Sequence, residues 1–115
     1  MRIDVLTLFP EMILQSVGHS ILKRAQEKGL LTVRVHNIRD YTLDRHKVAD
    51  DVPYGGGAGM VMKAEPIVKA LRALTKFKIQ NSKFKIIEKN SKIILFTPRG
   101  KKFNQKLAYK FSKLN

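Results

Sequence analysis

Residues 3 to 8 carry Ile3, Val5, Leu6 and Leu8 in a short apolar stretch, which suits a buried strand better than an amphipathic helix. It stops at Phe9-Pro10. Proline has no amide hydrogen, a loss the first turn of a helix does not feel. Glu11 behind it meets the positive end of the helix dipole, so Pro10 predicts a helix start. A second helical piece follows, with Ser20 as its cap, Ile21, Leu22 and Ala25 on one face, and Gly29 at the left-handed position past its end. Leu31, Val33 and Val35 then alternate with Thr32, Arg34 and His36, the period-two signature of a strand. Strand, helix, strand predicts an α/β fold.

From Asn37 to Met62 the periodicity disappears. The stretch reads as one loop, well beyond the usual connection length, and loops that long are functional or disordered. Pro66 then opens a helix with Ile67, Ala70, Leu71 and Leu74 at helical spacing. Between Lys76 and Lys92 the tetrapeptide KFKI and the tripeptide NSK each occur twice. Such bias marks a basic insertion over 76–92, either a hairpin or a loop. Lys92 to Phe96 (KIILF) predicts a buried strand, stopped by the turn Thr97-Pro98-Arg99-Gly100. Asn104 can cap a last helix with Leu107, Ala108, Phe111 and Leu114 on one face.

Composition narrows the picture. A length of 115 residues fits a single domain, and 43% hydrophobic residues allow a modest core. The absence of cysteine excludes a disulfide framework, a thiolate zinc site and cysteine nucleophilic catalysis. The opening residues lack the apolar run of a signal peptide, and no later window has the length of a membrane span, so a cytoplasmic protein is expected. The net charge of +14 is unevenly spread: eleven basic and eight acidic residues precede Lys76, twelve and one follow from there. A cationic half of this kind draws in phosphate and speeds encounter with RNA or DNA. The plainer explanation is compositional bias towards lysine.

Candidate chemistry concentrates in Asp50-Asp51-Val52-Pro53-Tyr54-Gly55-Gly56-Gly57-Ala58-Gly59-Met60. Glycine takes positive φ without strain and lets a flat base or a phosphate approach the main chain, so this reads as a ligand-cradling loop rather than a serine-rich linker. It is not a P-loop, because Met60 and Val61 stand where that motif needs Lys-Ser/Thr. Upstream, His46 and Asp50 are four apart, a spacing that on a helix would place them on one face. With so few other ligands nearby, no metal site is expected. A carboxylate from Asp50 or Asp51 suits the Watson–Crick edge of guanine, where N1–H and the exocyclic amine are adjacent donors. A solvated charged loop is the alternative. His19 and His36 are expected to be structural.

Several segments, in order and spacing, resemble the bacterial tRNA (guanine-N1-)-methyltransferases. They are Asp4-Val5-Leu6-Thr7-Leu8-Phe9-Pro10-Glu11-Met12, Asn37-Ile38-Arg39-Asp40-Tyr41-Thr42, Asp44-Arg45-His46-Lys47, the glycine block with its acidic prefix, and Glu65-Pro66. The resemblance runs from Met1 to about Leu74 and resumes from Ile93 to about Ala108. It implies an α/β fold of the SPOUT class, a parallel sheet flanked by helices and cut off before its trefoil knot is completed. It also implies a cytoplasmic homodimer that moves a methyl group from S-adenosylmethionine to N1 of the guanosine 3′ of the tRNA anticodon. Carried onto this sequence, His46, Asp50, Tyr54, Gly55, Gly56, Gly57, Gly59 and Met60 would bind or support the target guanosine. Leu95, Phe96, Thr97, Pro98, Arg99 and Gly100 would line part of the donor site, with Thr97 and Arg99 standing where the family more often has Ser and Gln. The family chain is about twice as long, and its catalytic Asp and Arg are expected beyond Asn115, so no catalytic residue is assigned. A non-catalytic RNA-binding remnant is the competing expectation.

Overall fold

In the computed structural model, which describes residues 1–75, 90–114 and the two strands Phe77–Gln80 and Lys83–Ile86, the frame is a parallel pair. β1 (Arg2–Thr7) lies beside β2 (Thr32–Asn37), with Ile3 opposite Val33 and Val5 opposite Val35. Parallel neighbours need a crossover. Here it consists of two helices, α1 (Pro10–Val17) and α2 (Ser20–Glu27), the first starting on its proline as expected.

Ser20 is not the cap of α2. His19 holds that position without a capping side-chain bond, and Ser20 is the first helical residue, at φ +52. Only two residues separate the helices, so no room is left for Ser20 to stand outside. The other end of α2 follows expectation. Gly29 takes φ +67, its amide bonds the Gln26 carbonyl, and the Leu30 amide reaches back to Ala25, the paired closure of a Schellman motif. The Gln26 side chain also donates to the Val17 carbonyl at 2.9 Å, tying the two helices together. The apolar face expected on α2 is open to solvent, with Ile21 76% exposed.

The stretch from Asn37 to Met62 has more structure than its sequence announces. A 3₁₀ turn covers Ile38–Tyr41, capped by the Asn37 side chain, which accepts the Arg39 amide at 3.0 Å. A short antiparallel ladder pairs β3 (Asp50–Asp51) with β4 (Val61–Met62), and the Lys63 amide extends it to the Ala49 carbonyl. Elements of two to four residues are too short to show a period. α3 (Ala64–Leu74) starts two residues before Pro66, because proline is tolerated anywhere in a first turn whose amides lack helical acceptors. α3 packs on the 3₁₀ turn and touches β1. Ile38, Ala49, Pro66 and Ala70 are the buried residues at this junction.

These elements form one unit, Arg2–Leu74; a second runs from Thr75 onwards. In the second, β5 (Phe77–Gln80) and β6 (Lys83–Ile86) form an antiparallel hairpin with Phe77 opposite Ile86 and Ile79 opposite Phe84. The KFKI repeat thus pairs with itself; the rest of the expected insertion at 76, 81, 82 and 87–89 lies outside the described residues. The strand expected over Lys92–Phe96 is not formed, and Leu95 and Phe96 are exposed. A strand exists through its ladder bonds, and no strand among the described residues pairs with this segment. α4 (Gln105–Phe111) is capped as expected, the Asn104 side chain accepting the Leu107 amide at 3.0 Å. Leu107, Ala108, Phe111 and Leu114 are half-buried, with Phe111 stacked on Phe103.

Candidate functional site

The glycine loop springs from the β3–β4 ladder, which fixes both of its ends. Just past β3 the Gly56 amide bonds the Pro53 carbonyl at 3.1 Å. Gly55, third in that turn, takes φ +84, the value a type II turn requires of its third residue. Gly57 at φ +123 lies further still from what a side chain tolerates. Tyr54 occupies the second turn position and is fully exposed, and most of the rest of the loop, Met60 included, is open to solvent.

The two acids before the loop differ. Asp51 Oδ1 accepts the Val52 amide at 2.9 Å and is spent on local geometry. Asp50 is half-buried in the ladder, and its carboxylate has no hydrogen-bond or ion-pair partner among the described residues. Of the two, Asp50 is the acceptor without a partner among the described residues.

His46 and Asp50 do not share a helix. His46 sits in an exposed turn and Asp50 on a strand. That turn is organised by Asp44, whose Oδ2 accepts the Val48 amide at 2.9 Å and whose carbonyl accepts the Lys47 amide. Arg39 Nη1 donates to the Lys47 carbonyl and Lys47 Nζ to Asp40, both at 3.1 Å, binding the turn to the 3₁₀ segment. The Val48 amide holds the Asp44 carboxyl below its ordinary range, helped by the charges of Lys63 and His46. The residue pattern did not single out this role of Asp44; the signal that could have found it is the tendency of Asp to bond a nearby backbone amide in a turn. An open concavity of about 190 Å³ lies between Thr42, Asp44, Val48, Lys63 and Pro66.

A half-buried cluster on the sheet carries no sequence signal. His36 Nε2 lies 3.0 Å from Asp4 Oδ1, and Arg2 Nε donates to Asp4 Oδ2 at 2.8 Å. Strand register brings together residues 32 apart in the chain. This pairing gives His36 the structural role expected of it.

In the second unit, Thr97-Pro98-Arg99-Gly100 forms the expected tight turn, closed by the Gly100 amide on the Thr97 carbonyl at 3.0 Å. A Cβ on Gly100 would come 3.1 Å from that carbonyl oxygen, so a side chain there would make a tight contact with the turn. Leu95, Phe96 and Arg99 are exposed.

The family described as tRNA (Guanine-1)-methyltransferase TrmD matches this chain over residues 1–115. The chain belongs to the TrmD family. A tRNA (guanine-N(1)-)-methyltransferase of Carboxydothermus hydrogenoformans is 55% identical over 112 residues, covering 97% of this chain and 40% of that protein. One from Dictyoglomus turgidum is 50% identical over 115 residues, 100% of this chain and 42% of the relative. The crystal structure of a tRNA (m1G37) methyltransferase from Aquifex aeolicus superimposes with a TM-score of 0.74 at 34% identity, over 98% of this chain and 46% of that one. The fold is therefore that of the TrmD family, an α/β architecture of the SPOUT class. The chain spans about two-fifths of the length of the curated TrmD relatives it matches.

Proposed function

We propose that this chain supplies the acceptor-binding part and the first donor-binding segment of a tRNA (guanine-N1-)-methyltransferase. The reaction moves a methyl group from S-adenosylmethionine to N1 of the guanosine at tRNA position 37, 3′ of the anticodon. The observation that carries the reading is the unpartnered, half-buried carboxylate of Asp50 at the base of an exposed glycine loop. Guanine presents N1–H and an amino group side by side, and one carboxylate accepts both in charge-assisted hydrogen bonds. Tyr54 offers a ring on which an unstacked base can lie. Gly55, Gly56, Gly57 and Gly59 let the base approach the main chain, while His46 and Met60 flank it.

The donor segment fits an adenosine sulfonium. Leu95 and Phe96 expose apolar surface for a flat ring, and the Thr97–Gly100 turn is closed by the Gly100 amide on the Thr97 carbonyl. Arg99 is exposed, so its charge need not oppose the sulfonium. When bound, the donor supplies an electrophilic methyl group. The loop's part is to hold N1 in line and to exclude water; the base that takes the N1 proton is assigned to none of these residues. The same reading makes the whole protein a cytoplasmic homodimer with tRNA as substrate.

Asp50→Ala, made in the protein at its native length, is expected to lower guanosine N1 methylation about tenfold or more. A bidentate contact to a base is worth about 1–3 kcal/mol of discrimination. Unchanged methylation by the folded variant would remove Asp50 from the site.

A further inference from the structure

The described residues 90–114 of the second unit carry basic charge that no acid among them offsets, and part of it lies along a helix. Residues 90–114 contain seven Lys or Arg and no Asp or Glu. In the first unit cations are paired with acids, as in Arg2–Asp4, Lys47–Asp40 and Lys69–Glu65; the described residues 90–114 hold no ion pair. Lys106 and Lys110 lie four apart on α4, within about 40° of arc at 3.6 residues per turn, and Lys113 follows in the turn just past its end. All three are exposed, as are Lys101 and Lys102 ahead of the helix. Like charges four apart on a helix repel, and of the two helical lysines only Lys110, in the last turn, gains from the dipole of α4. Its opposite flank is engaged, with Leu107, Ala108 and Phe111 half-buried and Phe111 stacked on Phe103.

We infer that Lys106 and Lys110 on α4, with Lys113 just past its end, dock the phosphate backbone of RNA; that the RNA is the substrate tRNA rests on the methyltransferase reading. Neutralised phosphates release condensed counterions, which converts an unpaired lysine row into affinity. A membrane surface is the less suitable partner. An interfacial helix inserts a free apolar face, whereas that of α4 is engaged and the helix is only seven residues long.

The test is binding of an unmodified tRNA transcript, followed by fluorescence anisotropy across a salt series with the protein at its native length. Replacing all three residues (Lys106→Gln, Lys110→Gln, Lys113→Gln) is expected to make the slope of log affinity against log salt shallower by roughly 2, since each lost phosphate contact removes about 0.7–0.9. The matching triple Lys→Arg variant keeps the slope, and so does Lys23→Gln with Lys28→Gln on the first unit. An unchanged slope in a triple Gln variant with native circular dichroism overturns the inference. So does binding to phosphatidylserine vesicles in place of tRNA. Methylation is scored in the same preparations. A wild-type protein that shows the slope effect but methylates no guanosine sinks the methyltransferase reading and leaves the RNA surface. Normal methylation with an unchanged slope does the reverse.

Discussion

Asp44 shows how much one exposed carboxylate can organise. It receives the Val48 amide, closes the turn that carries His46, and has its carboxyl held below the ordinary value of 3.8 chiefly by that amide. A carboxyl whose folded value is depressed contributes fully above its unfolded value and loses that contribution as pH falls through the folded one. The Val48 amide resonance is therefore expected to hold its bonded position at neutral pH and to move only as acid protonates the carboxyl. Its midpoint should lie below that of an unstructured aspartate. Nuclear magnetic resonance between pH 7 and 2 measures it, and a midpoint at or above the unstructured value would contradict the turn. At this scale the glycine block and its acidic prefix were legible in the sequence, because residue type alone conveys the need for positive φ. That Asp50 is free while Asp51 bonds the Val52 amide was not legible, because adjacent identical residues differ only in where the ladder puts them.

At the level of elements, boundaries set by local chemistry were readable. Pro10 starts α1, Gly29 ends α2 and Asn104 caps α4, each through bonds within a few residues. Gly29 is the clearest to test. A Cβ there meets nothing within 4 Å, so the whole cost of a side chain comes from φ +67. Gly29→Ala is expected to destabilise the protein by about 1–2 kcal/mol, read as a lower urea midpoint with an unchanged m-value. No change in midpoint would mean the helix end relaxes freely. Other elements were misread for two reasons. The 3₁₀ turn and the β3–β4 ladder are shorter than any period. The run KIILF over 92–96 has strand composition but no neighbouring strand among the described residues, and composition does not create a ladder partner.

For the molecule as a whole, the burial pattern is the telling quantity. Ile38, Ala49 and Ala70 are the buried hydrophobic residues among those described, whereas Phe96, Leu95, Ile21 and Phe9 lie largely in solvent. Exposed apolar area on this scale marks surfaces meant for contact. The 115-residue polypeptide alone is expected to bind an apolar dye such as ANS and to melt over a broad range. A sharp cooperative melt without dye binding would contradict that. The sequence alone determined the α/β alternation, the start of α1, the end of α2, the cap of α4, the glycine loop and the resemblance to a methyltransferase family, because each is written in residues close together along the chain. Tertiary structure decided which acid stays free, which histidine is paired, and which lysines stand unopposed. Those depend on strand register and helix placement, which bring together residues as far apart as Asp4 and His36, and no local signal specifies such pairings.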